Sequence, residues 1–357
     1  MDMKLFLILL VVCPPVLLVG FLLWASFPWT ISQKSFEGEI HTFNHIPAHI
    51  DEEVTPPVLK VVTWNMGYAY GLGSEGRGYE QKDSAFFNSR LKQMGELLQK
   101  SEADIVFLQE IDFDSKRSTY IDQARVLAEL AGYRHVAYAP SWVAGYIPFP
   151  YMPIRNHFGQ MNSGGAVLSK YPILKNTVDL LQKPESQAWW YNLFYLHRYF
   201  QTVEVKVGEK ILTAVNLHLE AFDRTNREKQ AELLSSRMQT GKIDLVAGDF
   251  NMVPTEASKK NKFPDGDDNY ENDMSYDLLK RTSLKDVIPE DIYNKNESLY
   301  WTYPTDKANR KLDYIFYNEQ LRFIKVEVLW EASTLSDHFP MRASFQLGPV
   351  QFNPYSQ

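Results

Sequence analysis

From residue 58 onward, short apolar runs alternate with polar or amphipathic intervals. The runs are LKVVTWNM (59–66), ADIVFLQE (103–110), GGAVLSKYPI (164–173), FQTVEVKV (200–207), KILTAVNLHL (210–219), KIDLVAGDF (242–250), LDYIFYN (312–318) and FIKVEVLW (323–330). Their length and their β-branched and aromatic content predict strands. Between them, 88–101, 120–133 and 225–241 carry apolar residues at three- and four-residue spacing and end near Gly or Ser, the pattern of amphipathic helices. Interleaved strands with few helices imply a sheet core flanked by helices.

Before this region the pattern changes. Leu5 to Ala25 is a 21-residue stretch without a charge, about the length that crosses a hydrocarbon core of ~30 Å. It predicts an N-terminal membrane anchor over 1–25, with Trp24 and Trp29 at an interfacial belt. A cleavable signal peptide is the competing reading, but the apolar run exceeds its usual core of about 7–15 residues. Localisation is therefore expected at a membrane, through a single-pass anchor with the catalytic domain extracytoplasmic. Residues 26–57, with Pro47, Pro56 and Pro57, read as a linker with room for one short strand, 58–349 as the catalytic domain, and 350–357 as a tail.

Composition narrows the class of partner. The chain has 357 residues, 45% hydrophobic and 14% aromatic, enough for a substantial core. A net charge of −7 offers no general attraction for polyanions. Cys13 is the single cysteine, so no intrachain disulfide can form.

Several predicted strands end in polar groups that strand propensity would not choose: Asn65, then Gln109 and Glu110, Asn216 and His218, and Asp249 and Asn251. Asp313 follows in LDYIF and the pair Asp337-His338 in SDH. Side chains two apart on a strand share a face, so Asp249 and Asn251 project together. Oxygen-rich groups of this kind suit a hard cation such as Mg²⁺, with Mn²⁺ as a substitute. Each residue alone has an ordinary reading: Asn65 as a turn former, Glu110 as a solvated carboxylate, His218, His157 and His197 as satisfied partly buried histidines. His41, His45 and His49, four apart, could also form a metal-binding helical face.

Taken in order, TWNM, FLQE, GGAVLSKYPI, NLHLE, GDFN, LDYIF and SDH resemble the endonuclease/exonuclease/phosphatase superfamily, from about Val58 to Phe345. The resemblance implies a four-layer α/β sandwich, two packed β-sheets flanked by helices, with the site where the sheets meet. It also implies roles. Glu110 would be the principal metal ligand, assisted by Asn65, with Asp337 near the metal. Asp249 would orient or deprotonate the attacking water and Asn251 would hold a phosphate oxygen. His338, oriented by Asp313, would act on the phosphate, and His218 would be a second histidine of the deoxyribonuclease-like and sphingomyelinase branches.

Two stretches bear on the substrate. Residues 138–159 and 187–200 are crowded with aromatics, and prolines and glycines in the first argue against regular structure over much of it. If exposed, they suit a membrane interface or an acyl chain. The expected activity is Mg²⁺-dependent hydrolysis of a lipid-linked phosphodiester or phosphomonoester, sphingomyelinase-like. The alternatives are a nuclease acting on DNA or RNA, with Arg155, Arg198 and Arg224 on phosphates, and a catalytically silent scaffold of the same fold.

Overall fold

The computed structural model describes residues 3–26, 34–48, 54–72, 80–239 and 242–347, with the side chains of the first helix described from residue 11 onward. Trp29, His49 and the tail 350–357 lie outside the described residues.

Two seven-stranded mixed sheets form the core. The first runs in the order β1 (Ser35–Glu37), β7 (Ile173–Leu180), β8 (Tyr199–Val207), β9 (Lys210–His218), β10 (Leu245–Asp249), β12 (Asp313–Tyr317) and β11 (Lys285–Asp286). The second runs β13 (Arg322–Val328), β14 (Met341–Gln346), β3 (Val58–Asn65), β4 (Ile105–Asp112), β6 (Gly159–Ser169), β5 (His135–Ile147) and β2 (Ile40–Thr42). Each sheet has one parallel pair among antiparallel neighbours, β3 with β4 and β9 with β10.

The strands are apolar on both faces, and the period of two divides those faces between different cores. Leu59, Val61, Ile105, Phe107, Ala214, Leu245, Ala247 and Ile315 pack between the sheets. Their neighbours Val62, Trp64, Val106 and Leu108 face outward onto Phe87, Leu91 and Leu127. Those partners come from helices α2 (Ser84–Ser101) and α3 (Gln123–Ala131). On the other sheet Val215, Leu217, Val246 and Phe316 face Leu234, Met238 and Leu279, from α5 (Arg224–Met238) and α6 (Ser275–Lys280). The result is the layering of helix, sheet, sheet, helix. Two short helices complete it, α4 (Trp189–Asn192) and α7 (Glu290–Tyr293).

The three long helices of the domain start where an aspartate can cap them. Asp83, Asp122 and Asp223 accept hydrogen bonds from the backbone N–H of Phe86, Arg125 and Asn226, each satisfying a donor that the first turn leaves open. A close approach explains one glycine of the GGAVLS run. A Cβ on Gly165 would lie 1.9 Å from the Tyr199 hydroxyl of the opposing sheet, so any side chain there would separate the layers.

Two expectations are corrected. Residues 138–147 are not irregular, because β5 runs from His135 to Ile147. The strand tolerates Pro140 because β2 covers only Ala137 back to His135, and Pro140 sits at a register shift against β6 where no full ladder is required. The second correction concerns the single-pass N-terminal anchor and the extracytoplasmic placement drawn from it. Among the described residues, no helix is long and apolar enough to cross a membrane. The N-terminal helix α1 (Met3–Ser26) carries Pro14 and Pro15 inside it. Its last turns are moreover taken up by the domain. Ala25 is wholly buried, and Trp24 stacks on Tyr146 of β5 at 6.0 Å between ring centroids.

Candidate active site

The inward-facing rows of the central strands change character at one end of the molecule. On β3 the row Leu59, Val61 continues as Thr63 and Asn65; on β9 Leu212, Ala214 continues as Asn216 and His218; on β10 Leu245, Ala247 ends in Asp249. Because β9 and β10 are parallel, His218 and Asp249 sit side by side, and antiparallel β12 brings its first residue, Asp313, opposite Asp249. Sheet packing then closes these rows on one another. Asn65 Nδ2 donates to Asp249 Oδ2 at 2.9 Å, across the two sheets.

Glu110 reaches this cluster through a departure from strand geometry. Gln109 already faces inward, so alternation would turn Glu110 outward. Instead Glu110 has φ 50° at a register shift between Leu108 and Ile111, and its carboxylate returns to the inter-sheet side. Its Oε1 lies 3.2 Å from Asn65 Nδ2 and 3.8 Å from His218 Nε2. Asn251, at φ 49°, is held the same way. Its N–H donates to Asp249 Oδ1 at 2.9 Å and its Nδ2 donates to the Leu219 carbonyl at 3.0 Å. Strained backbone at two adjoining polar positions persists only where the surroundings over-determine it, as at ligand sites.

The two histidines occupy different electrostatic environments. His338 Nδ1 donates to Asp313 Oδ2 at 2.9 Å, leaving Nε2 directed to within 3.8 Å of Asp249 Oδ2. Burial alone would lower its pKa, but the charges of Asp313 and Asp249 and the Asp313 hydrogen bond raise it to about 10. His218 lies 3.3 Å from Asp249 Oδ2 and its Nε2 is met by the Arg198 guanidinium. Burial and the Arg198 charge push its pKa down to about 4 despite Asp249. Near neutral pH the site therefore holds one imidazolium and one neutral imidazole, the separation of states that acid–base chemistry needs. Burial would raise Asp249, yet His338 and the hydrogen bond to His218 hold its carboxyl well below the usual range.

Loop residues complete the arrangement. Ser336 Oγ donates to the Asn65 carbonyl at 2.7 Å and lies 3.1 Å from Asp337 Oδ1. Trp64 Nε1 donates to the His338 carbonyl at 2.9 Å, fixing that loop on β3. The structure thus brings together Asn65, Glu110, His218, Asp249, Asn251, Asp313, Asp337 and His338. Gln109 and Asn216 lie behind the cluster instead. Gln109 Nε2 donates to Asn216 Oδ1 at 2.7 Å and Asn216 Nδ2 to Gln201 Oε1 at 3.0 Å, an amide chain that bridges the sheets. His41 lies on strand β2 and His45 pairs with Glu129, so no helical face joins them. His157 takes Tyr146 and Tyr151 as partners, and His197 takes the Leu181 carbonyl.

Sequence reasoning placed Arg198 with phosphates alone and missed its contact with His218. It also missed Glu220, buried with Oε1 accepting from the Tyr195 hydroxyl at 2.8 Å. Glu220 had one signal available, its position two residues beyond His218 in NLHLE.

The donor set fits a hard divalent cation. Glu110 and Asp249 share one amide, Asn65, and burial and the Asp249 charge raise the Glu110 carboxyl above its usual range, against lowering by Arg198. A cation there would relieve two crowded carboxylates. Asp249, Asp313 and His338 also offer ligand atoms within 4.8 Å of one another, but His338 is already committed to Asp313 and carries charge, so the Glu110 side is the better seat.

A family model described as the Endonuclease/Exonuclease/phosphatase family matches residues 62–338. A curated relative, inositol phosphosphingolipids phospholipase C of Schizosaccharomyces pombe, is 25% identical over 309 residues, covering 75% of this chain. The chain spans just under two thirds, 66%, of that relative's length. A solved endonuclease/exonuclease/phosphatase structure from Beutenbergia cavernae matches with a TM-score of 0.58 and 18% identity over 83% of this chain and 73% of the other. The mannosyl-6-phosphatase Bt3783 of Bacteroides thetaiotaomicron matches with a TM-score of 0.53 and 18% identity, covering 80% and 99%. At that identity these two show the fold.

Proposed function

The chain belongs to the endonuclease/exonuclease/phosphatase family and is a phosphoester hydrolase, and on that premise we propose that it is a metal-dependent, sphingomyelinase-like phosphodiesterase acting on a lipid-linked phosphodiester. The observation that carries the substrate class is a cavity of about 270 Å³ opening beside Glu110 and walled by Tyr68, Trp142, Phe149, Trp190 and Phe194. Its lining includes aromatic side chains that also reach solvent: Phe222 is 67% exposed, Tyr151 59% and Trp190 50%. An apolar cavity next to a polar, charged centre matches a substrate whose phosphate is joined to a hydrocarbon. The curated relative's name, with 25% identity, points the same way.

In this reading Glu110, Asn65 and Asp337 hold Mg²⁺ or Mn²⁺, which when bound supplies Lewis-acid charge at a phosphoryl oxygen. Asp249, a weak base because its carboxyl is held low, accepts a hydrogen bond from the attacking water and aligns it. Asn251 holds a non-bridging oxygen. His338 keeps its Nε2 proton directed at the oxygens where negative charge grows as phosphorus is attacked, while Asp313 fixes its tautomer. His218, neutral and met by Arg198, lies 3.3 Å from Asp249 Oδ2 and helps to hold that carboxylate in place. Asp249 takes the water's proton as the bond to phosphorus forms, the lipid alkoxide leaves and is protonated from solvent to the alcohol, Asp249 returns its proton to solvent, and the phosphorylated headgroup remains as the second product.

The test is an activity panel of sphingomyelin, an inositol phosphosphingolipid, a soluble phosphomonoester, plasmid DNA and RNA, each with Mg²⁺ or EDTA. Release of phosphorylated headgroup from a lipid, abolished by EDTA, is expected. Nicking of DNA or cleavage of RNA without lipid turnover would replace the proposal with the nuclease reading, for which Arg198 is the one arginine of the three at the cluster.

A further inference from the structure

Back to back with the aromatic cavity, and separated from it by Trp142 and Tyr195, lies a second cavity of about 430 Å³. Its outer wall is the last turns of α1, through Val19, Leu22 and Leu23, and its inner wall is Val143 and Ala144 of β5. Its volume is that of a small-molecule site. The walls are mostly apolar, with Ser26, Ser141, Lys183, Asn192 and His197 as the polar lining.

Lys183 Nζ donates to the Asn192 carbonyl at 2.7 Å. Among the described residues no carboxylate lies within ion-pair distance of this ammonium, although nearby Glu185 pairs with Lys229. Asn192 Oδ1 is buried without a hydrogen-bond partner. His197, whose Nδ1–H donates to the Leu181 carbonyl at 3.0 Å, is kept neutral by burial and by Lys183. Among the described residues that line it, the cavity thus has one cationic group and mostly apolar walls. An ammonium half-withdrawn from water without an acidic partner carries a desolvation cost, and an anionic ligand oxygen would relieve that cost.

We propose that this cavity binds a single-chain anionic amphiphile, its carboxylate or phosphate on Lys183 and its alkyl chain along Val19, Leu22 and Leu23. Charge selects the head, since among the described residues the one fixed charge on the walls, Lys183, is positive. Volume selects one chain over two, because about 430 Å³ is enclosed between α1, β5 and α4 with the segment that follows it. The same Lys183 contact anchors α4, whose Trp190 neighbours the catalytic cavity, so occupancy bears on the rim of that cavity as well.

The experiment is photo-crosslinking of the full-length protein with a diazirine-bearing palmitate, mapped by mass spectrometry. It is independent of catalysis. Saturable labelling within 19–26 or 141–144 is expected, displaced by palmitate or dodecyl phosphate and not by dodecyltrimethylammonium. The better of the two anionic competitors tells carboxylate from phosphate. Lys183→Met should weaken labelling by about tenfold to a hundredfold, the scale of one charge-assisted hydrogen bond. Ala144→Phe, which fills the slot and leaves the charge, should also block it, with melting curves checking that both variants are folded. Labelling scattered outside these segments, displacement by the cationic competitor, or undiminished labelling of folded Lys183→Met overturns the proposal.

Discussion

Replacing Asp313 by Asn removes one negative charge from the His338 pair and little else. An Asn Oδ1 can still accept from His338 Nδ1 at the observed 2.9 Å, so the imidazole keeps its orientation. The rise of His338 from 6.5 to about 10 corresponds to roughly 5 kcal/mol in favour of the charged ring, and Asp313 is the largest of the opposing charges that outweigh burial. The sign follows. A raised histidine is charged below its folded pKa, so in the native enzyme His338 keeps its charge through the neutral range and loses it as pH approaches about 10. In Asp313→Asn that loss moves down toward neutrality. Turnover of a soluble phosphodiester at saturating Mg²⁺ should then fall on the order of 10²–10⁴-fold at mildly alkaline pH, with partial recovery at lower pH. The assay is a kcat profile against pH for both proteins. A uniform loss at every pH, with the alkaline limb unmoved, would refute the argument that Asp313 works through the charge on His338.

Four further outcomes are expected. Glu110→Gln keeps the shape of the donor but not its charge, so Mg²⁺-dependent activity should drop steeply and recover in part at high Mg²⁺ in a titration; unchanged activity at limiting Mg²⁺ would remove Glu110 from the cation. Trp189→Ser with Trp190→Ser should depress hydrolysis of lipid in vesicles far more than that of a short soluble ester, each exposed aromatic contributing at most a few kcal/mol at an interface; equal losses would assign the rim to the fold. Gly165→Ala places a methyl against Tyr199 and should lower stability by about 1–3 kcal/mol, read as a lower urea midpoint at unchanged slope. His218, with its pKa pushed down from 6.5 to about 4, binds its proton more readily in the unfolded chain. Melting temperature in EDTA should therefore fall as pH drops from about 6.5 to about 4, and His218→Gln should flatten that part of the curve.

Backbone period and local chemistry are legible along the chain. Strand-length apolar runs and amphipathic intervals mark the local elements of the domain. Polar ends on otherwise apolar rows, at Asn65, His218 and Asp249, marked where a buried face becomes chemistry. The period of two was enough to place Asp249 inward.

Alternation alone would turn Glu110 outward, and only packing between the sheets stabilises the left-handed backbone that returns it at a register shift. Alternation could not assign Gln109 and Asn216 to an amide bridge, since each finds its partner on the opposite sheet. Pro140 spoke against a strand, and whether a strand tolerates it depends on how far its neighbour β2 extends. Pairings such as Asn65 with Asp249, or Trp64 with His338, join residues far apart along the chain, and no local preference encodes them. The charge states of His218 and His338 were equally out of reach. They depend on which charges tertiary packing buries beside each ring, Arg198 against one and Asp313 against the other, in an interior where water no longer levels the difference.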